Sequence, residues 1–179
     1  MNFKLNEAIE ILERTPQMLE QFLGGLTKDW LVCNEGEGTW NVLEVIDHLI
    51  KGEKNNWLPR IEIILNEGET RPFPVFDRYS HLDESSDHLI EEKLIEFKAC
   101  RAESLSKLKI LIKPEVDFEL TGTHPAFGQV RLRELLSTWV VHDLTHLNQV
   151  TRIMAERYRE DVGPWKEYLG VLKKNEVRE

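Results

Sequence analysis

Trp139-Val140-Val141-His142-Asp143-Leu144-Thr145-His146 is the stretch on which the reading of this chain turns. It lies within a helical pattern from about Arg131 to Arg159. Its two histidines are four residues apart, which places both imidazoles on one helix face, one turn from each other. That face is apolar: Leu135, Trp139, Val150 and Ile153 fall within about 80° of the histidines at 100° per residue. Imidazole is a ligand for Zn, Ni, Cu and Fe, and an i,i+4 pair on a helix suits a single ion. The plainer alternative is one histidine bonded to backbone in a core and one facing solvent. The pattern is not that of a zincin protease, because Asp143 stands where the H-E-x-x-H motif places its glutamate base.

Outward from this helix the chain reads as helical nearly throughout. Leu5, Ala8, Ile9 and Leu12 recur at helix spacing. Thr15-Pro16 reads as an N-cap and first-turn proline that open a second, short helix carrying Leu19, Phe22, Leu23 and Leu26. Thr39 is the expected N-cap of a long helix from about Trp40 to Asn66, with Val42, Val45, Ile46, Leu49 and Ile50 as its stripe and a kink at Pro59. Residues 69–82 read as an ordered loop, and Ser85 or Ser86 opens a third long helix to about Lys109. Pro114 to Gly128 reads as loop, and Gly163-Pro164-Trp165 starts a short terminal helix. No β alternation of useful length is present. Long amphipathic helices joined by two sizeable crossing loops describe an all-α helix bundle forming one domain over residues 1–179.

A mononuclear site needs further ligands. His48, at the edge of the apolar stripe of the Trp40–Asn66 helix, is the best-placed third candidate. His81 and His124 fall in loops, and His88 falls near a helix start beside Asp87. Two charged residues break the binary pattern. Arg101 sits on the line Leu94, Phe97, Leu105, Leu108, and Asp143 sits among Leu132, Leu136, Trp139 and Val150. A lone buried charge costs several kcal/mol, so the two are expected to form an interior ion pair that pins the histidine helix to the third helix. The alternative role for Asp143 is a bond to a histidine N–H. Glu44, one turn before His48, is a weaker candidate for such a role or for a base.

With a net charge of −9 and no cluster of Lys or Arg, the 179-residue chain offers nothing to nucleic acid. No apolar run reaches the roughly 20 residues a membrane span needs, and Met1-Asn2-Phe3-Lys4 lacks a signal-peptide pattern. Cys33 and Cys100 form no CxxC pair, which with the other features leads to the expectation of a cytoplasmic protein. Trp40, Trp139 and Trp165 read as helix-packing residues. Trp57, Phe73, Phe76 and Tyr79 read as loop packing, with a pocket mouth or dimer contact as the alternative.

Four segments taken in order resemble a known family. Trp40 to Leu49 has a tryptophan opening a helix and His48 two turns on; Thr123 to Gly128 leads into the last long helix. His142-Asp-Leu-Thr-His146-Leu-Asn-Gln149 forms the second metal motif, and Gly163-Pro-Trp165-Lys-Glu-Tyr168-Leu closes the chain. Together they resemble the DinB-like superfamily of four-helix-bundle metalloproteins, over about Leu5 to Leu172. The resemblance implies an up-down-down-up bundle, often a homodimer, with a divalent ion (Zn or Ni) held by His48, His142 and His146. It also implies a small-molecule thiol and an electrophile as partners, since similar members include thiol S-transferases. Three neutral imidazoles leave coordination positions open, the arrangement of catalytic rather than structural sites. A metal-dependent thiol S-transferase is therefore the first expectation. A hydrolase using a metal-activated hydroxide is the second, and a non-catalytic metal-binding stress-response bundle the third.

Overall fold

A computed structural model describes residues 2–83 and 89–173. Four long helical segments form the bundle: α1 (Leu5–Leu23), α3 (Val42–Asn55) continued by α4 (Trp57–Asn66), α6 (Ile90–Leu111) and α7 (Leu132–Glu156). Between them lie the short helices α2 (Lys28–Leu31) and α5 (Ser80–Asp83), and a hairpin of β1 (Thr121–His124) and β2 (Gly128–Arg131). Two 3₁₀ turns, Gly163–Glu167 and Gly170–Leu172, close the described chain. Among the described residues no helix is long and apolar enough to cross a membrane.

Helix α1 packs on α6 and α7, and α3 packs on α6 and α7, so each long helix has two partners. The buried apolar residues fall into two clusters. One holds Leu12, Trp57, Ile61, Leu105, Leu108, Leu136 and Trp139; the other holds Leu19, Val45, Leu49, Phe97, Val150 and Ile153. On all four helices the boundary between the clusters falls at one level. There a charged layer crosses the bundle. Arg101 donates from Nη1 and Nη2 to Asp143 Oδ2 and Oδ1 at 2.7 and 2.9 Å, as the patterning predicts. The same guanidinium donates to Glu53 Oε1 at 2.8 Å, and Trp139 Nε1 donates to that oxygen at 2.9 Å. Asp143 thus spends both carboxylate oxygens on Arg101, which leaves its alternative role as a histidine partner unfilled.

The layer also explains a departure from the sequence reading. Helix α1 does not break at Thr15-Pro16 but runs straight through, with Pro16 buried in its interior. Proline has no N–H to give the carbonyl four residues back, so the oxygen of Leu12 loses its helical donor. Arg101 Nη1 supplies the missing donor at 2.8 Å. A buried carbonyl that would otherwise be orphaned is satisfied from another helix, which offsets part of the cost of an interior proline.

Other boundaries move for local reasons. Asn41, not Thr39, caps α3: its side chain accepts from Glu44 N–H at 3.0 Å while Glu44 Oε2 accepts from Asn41 N–H at 2.7 Å. Glu44 is therefore a capping residue rather than a base. The expected kink at Pro59 lies instead at Asn56, and Pro59 sits in the first turn of α4, where a proline forfeits no helical bond. Helix α6 is described from Ile90; Ser85, Ser86 and His88 lie outside the described residues. The stretch before α7, expected to be loop, contains the hairpin. Gly122 packs it against α4 so closely that a Cβ there would lie 2.7 Å from Phe73 and 2.8 Å from Ile64. The closing segment is the expected short helix, in 3₁₀ form with Pro164 in its first turn, but Trp165, expected to pack, is 69% exposed.

Candidate metal centre

His48 projects from the middle of α3; His142 and His146 project from α7, one turn apart. The three rings converge. His142 Nε2 lies 3.1 Å from His48 Nε2 and 3.2 Å from His146 Nε2, and one ligand atom from each residue lies within 4.8 Å of the others. Ligand nitrogens at about 2.0–2.1 Å from a tetrahedral ion are about 3.3 Å apart, so the observed spacing fits three nitrogens around one ion.

Proton accounting points the same way. His146 Nδ1 lies 2.8 Å from Gln149 Oε1, an acceptor, so Nδ1 carries the proton and Nε2 keeps its lone pair. Burial, with the neighbouring imidazoles second, lowers His48 to about 3 and His142 to about 2. Burial likewise lowers His146, against its bond to Gln149 and the nearby Asp143. All three rings are neutral at pH 7, the form that binds metal. A single proton on His142 Nε2 cannot serve two neighbouring lone pairs well; a cation between them serves all three. His142 Nδ1 is buried without a hydrogen-bond partner, and His48 has only a weak approach to the Arg78 backbone, whereas His146 is fixed from behind by its short bond to Gln149.

Aromatic packing holds the rings of the other two. Trp40 lies 4.9 Å from the His48 ring and is nearly parallel to His146 at 6.2 Å. Trp57 meets His142 edge-on at 5.1 Å and stacks on Trp139 at 5.6 Å. Trp57 and Phe73 are buried, and Phe76 approaches His48 at 5.9 Å.

The remaining sequence candidates part company. His81 is buried against Trp40 and 5.4 Å from the His48 ring, with both ring nitrogens unpartnered, but it is not part of the three-nitrogen cluster. His124 turns the hairpin: its Nδ1 accepts from Ala126 N–H at 3.1 Å and Phe127 N–H at 3.3 Å.

The centre lies in the wall of a cleft of about 970 Å³ bounded by α3, α4, α7, the hairpin and the 73–79 loop. Among the described residues two carboxylates line this cleft, and both are engaged. Glu35 receives two bonds from Arg152, at 2.8 and 3.0 Å. Glu134 caps α7 and pairs with Arg131 at 2.9 Å. Sequence reasoning missed two buried charges near this region, Glu53 and Arg60. Both carried a signal: Glu53 has Leu49, Ile50 and Trp57 one turn either side, and Arg60 has Trp57 and Ile64.

The fold and site define a helical-bundle protein with a three-histidine centre suited to a divalent metal ion. Its family follows from comparison: the DinB superfamily model matches residues 11–150, and the chain belongs to that superfamily. A protein of Oceanobacillus iheyensis, provisionally named a metal-dependent hydrolase, is 26% identical over 156 residues, covering 85% of this chain and 87% of the relative. The structure of YfiT from Bacillus subtilis, described as a probable metal-dependent hydrolase with an unusual four-helix-bundle topology, superposes with a TM-score of 0.70. It is 23% identical, over 85% of this chain and 86% of YfiT, a likeness that concerns the fold.

Proposed function

We propose that this protein is a metal-dependent thiol S-transferase, joining a low-molecular-weight thiol to a small electrophile. The observation that carries this reading is an all-nitrogen donor set beside a cleft whose only two lining carboxylates, among the described residues, are already ion-paired. With neither Glu35 nor Glu134 free to act as a base, ionising the nucleophile would fall to the Lewis acidity of the metal itself, which deprotonates a coordinated thiol outright but lowers a coordinated water only to a pKa near about 7. A divalent ion held there, Zn or Ni by donor type, would supply that Lewis acidity.

The chain's own residues do the rest. His48, His142 and His146 would hold the ion, and Gln149 sets the tautomer of His146 by accepting from Nδ1–H. Trp40 and Trp57 fix the planes of the rings and keep water from their flanks. At about 970 Å³ the cleft has the volume for two small molecules.

Hydrolysis is the second reading, favoured by the names of the two relatives. The test is turnover of a panel of electrophiles and esters by protein loaded with Zn or Ni, with and without added thiol. The proposal expects turnover only when thiol is present. Turnover in water alone would move the assignment to hydrolysis, and metal binding without turnover in either arm would point to a non-catalytic role.

A further inference from the structure

The buried cations of this molecule are not treated alike. Arg101 has two carboxylates, and Lys93, also buried, has both oxygens of Asp47 at 2.6 and 2.8 Å. Arg60, only 7% exposed, has none among the described residues. Its protein contacts are a 3.3 Å bond from Nη2 to the Pro74 carbonyl and the face of the Phe73 ring, 5.5 Å away. Its Nε is buried with no acceptor, as is Arg101 Nε, so what sets Arg60 apart is the missing carboxylate. Burial pushes its guanidinium below its ordinary value, and no neighbouring carboxylate opposes that shift. An unpaired buried guanidinium is costly, and none of the described acidic residues is placed beside it.

Arg60 lines the same cleft as His48 and His142, and so does the exposed Arg78. With Glu35 and Glu134 neutralised by their own arginines, the described cleft lining is left with a positive excess. A loaded metal centre would add to it. This occurs in a chain whose net charge is −9, so the local sign is opposite to the global one. A guanidinium edge with free N–H groups is the partner of a planar carboxylate.

We propose that Arg60 is the anion receptor of this cleft, so that one of the two co-substrates carries a carboxylate that pairs with Arg60 while its reacting group reaches the histidine centre. This rests on the thiol-transferase reading for which group reaches the metal, but the preference for a carboxylate stands on Arg60 alone. Arg60 is a specificity residue here, not a metal ligand.

The probes are 3-mercaptopropionate and its uncharged amide, which differ only in the carboxylate. In cobalt-loaded protein, the thiolate-to-metal absorption band reports binding of either thiol at the centre. The acid is expected to bind at least about tenfold more tightly than the amide. Arg60→Met should bring the two close to parity, weakening the acid far more than the amide, with cobalt stoichiometry unchanged, and Arg60→Lys should restore part of the preference. A second readout is the rise in melting temperature caused by each compound, which needs neither cobalt nor a thiolate band. Without ligand, Arg60→Met should melt no lower than the parent, because it removes an unpaired charge.

Equal binding of acid and amide by the parent, or a preference that survives in Arg60→Met, overturns the proposal. So does a large loss of stability in Arg60→Met, which would make Arg60 a structural residue. Absence of a thiolate band with both compounds would sink the thiol reading instead; the melting shifts would still decide the role of Arg60.

Discussion

Two clusters of buried polar groups lie one helical turn apart in this protein and are built on opposite terms. In the Arg101 layer, the guanidinium meets Asp143 twice, Glu53 once and the Leu12 carbonyl once, and Trp139 adds a donor to Glu53. In the histidine cluster, three neutral rings point nitrogens at one another, and His142 Nδ1 has no partner. Asp143 and His142 are adjacent in sequence on α7, so one helix serves both. The Arg101 layer keeps two unpartnered atoms of its own, Arg101 Nε and Glu53 Oε2, but its charges are balanced within the chain; the histidine cluster has no such internal balance. Arg60, buried and unpaired, belongs with the second kind.

The widest separation between the two clusters is expected from Arg101→Met. It strands two carboxylates and the Leu12 carbonyl, and should cost about 3–5 kcal/mol in urea unfolding of the metal-free protein. A loss below about 1 kcal/mol would show that the layer is not a structural element.

Acid should act on the histidine cluster instead. Above about pH 6.5 the rings of His48 and His142 are neutral in both the folded and the unfolded chain. Below it, only the unfolded chain gains protons until the pH nears 3, so stability falls as the solution is acidified. At pH 5 each ring should account for about 2 kcal/mol of that loss in metal-free protein. Unfolding curves at pH 7.5 and 5 should therefore show a smaller loss for His48→Ala than for the parent. Equal losses would mean that the rings are more hydrated than their burial indicates.

Gln149→Leu sharpens the comparison from within the histidine cluster. It removes the short polar bond behind the His146 ring and should weaken metal binding about 10–100-fold without abolishing it, as read by chelator competition. Unchanged affinity would mean that the aromatic packing alone orients His146. The smallest effect is expected from Arg60→Met, whose stability without ligand should stay within about 0.5 kcal/mol of the parent. The contrast with Arg101→Met is the point: two buried arginines, one structural and one not.

The periodicity of apolar residues made the long helices legible, and the charge breaks at Arg101 and Asp143 made their pairing legible. His142 and His146 declared themselves by spacing, because a helix fixes what four residues apart means. His48 did not, since its place beside α7 depends on how α3 packs across the bundle. The continuity of α1 through Pro16 was illegible because the compensating donor comes from Arg101, far along the chain. Four-residue strands carry too little alternation to announce a hairpin; the close fit of Gly122 on Phe73 makes it visible only in three dimensions. Arg60 and Glu53 lay in plain view at helical spacing from apolar residues, and only a systematic count of such breaks would have raised them beside Arg101.

The most direct test of the central claim is the metal content of protein purified without a histidine tag, measured beside His142→Ala. The account predicts about one equivalent of a divalent ion, or uptake of about one equivalent of added Zn or Ni, and essentially none in the variant. A parent protein that takes up no divalent ion, or a variant that binds as well as the parent, would contradict it and leave the three histidines as packing residues of the bundle.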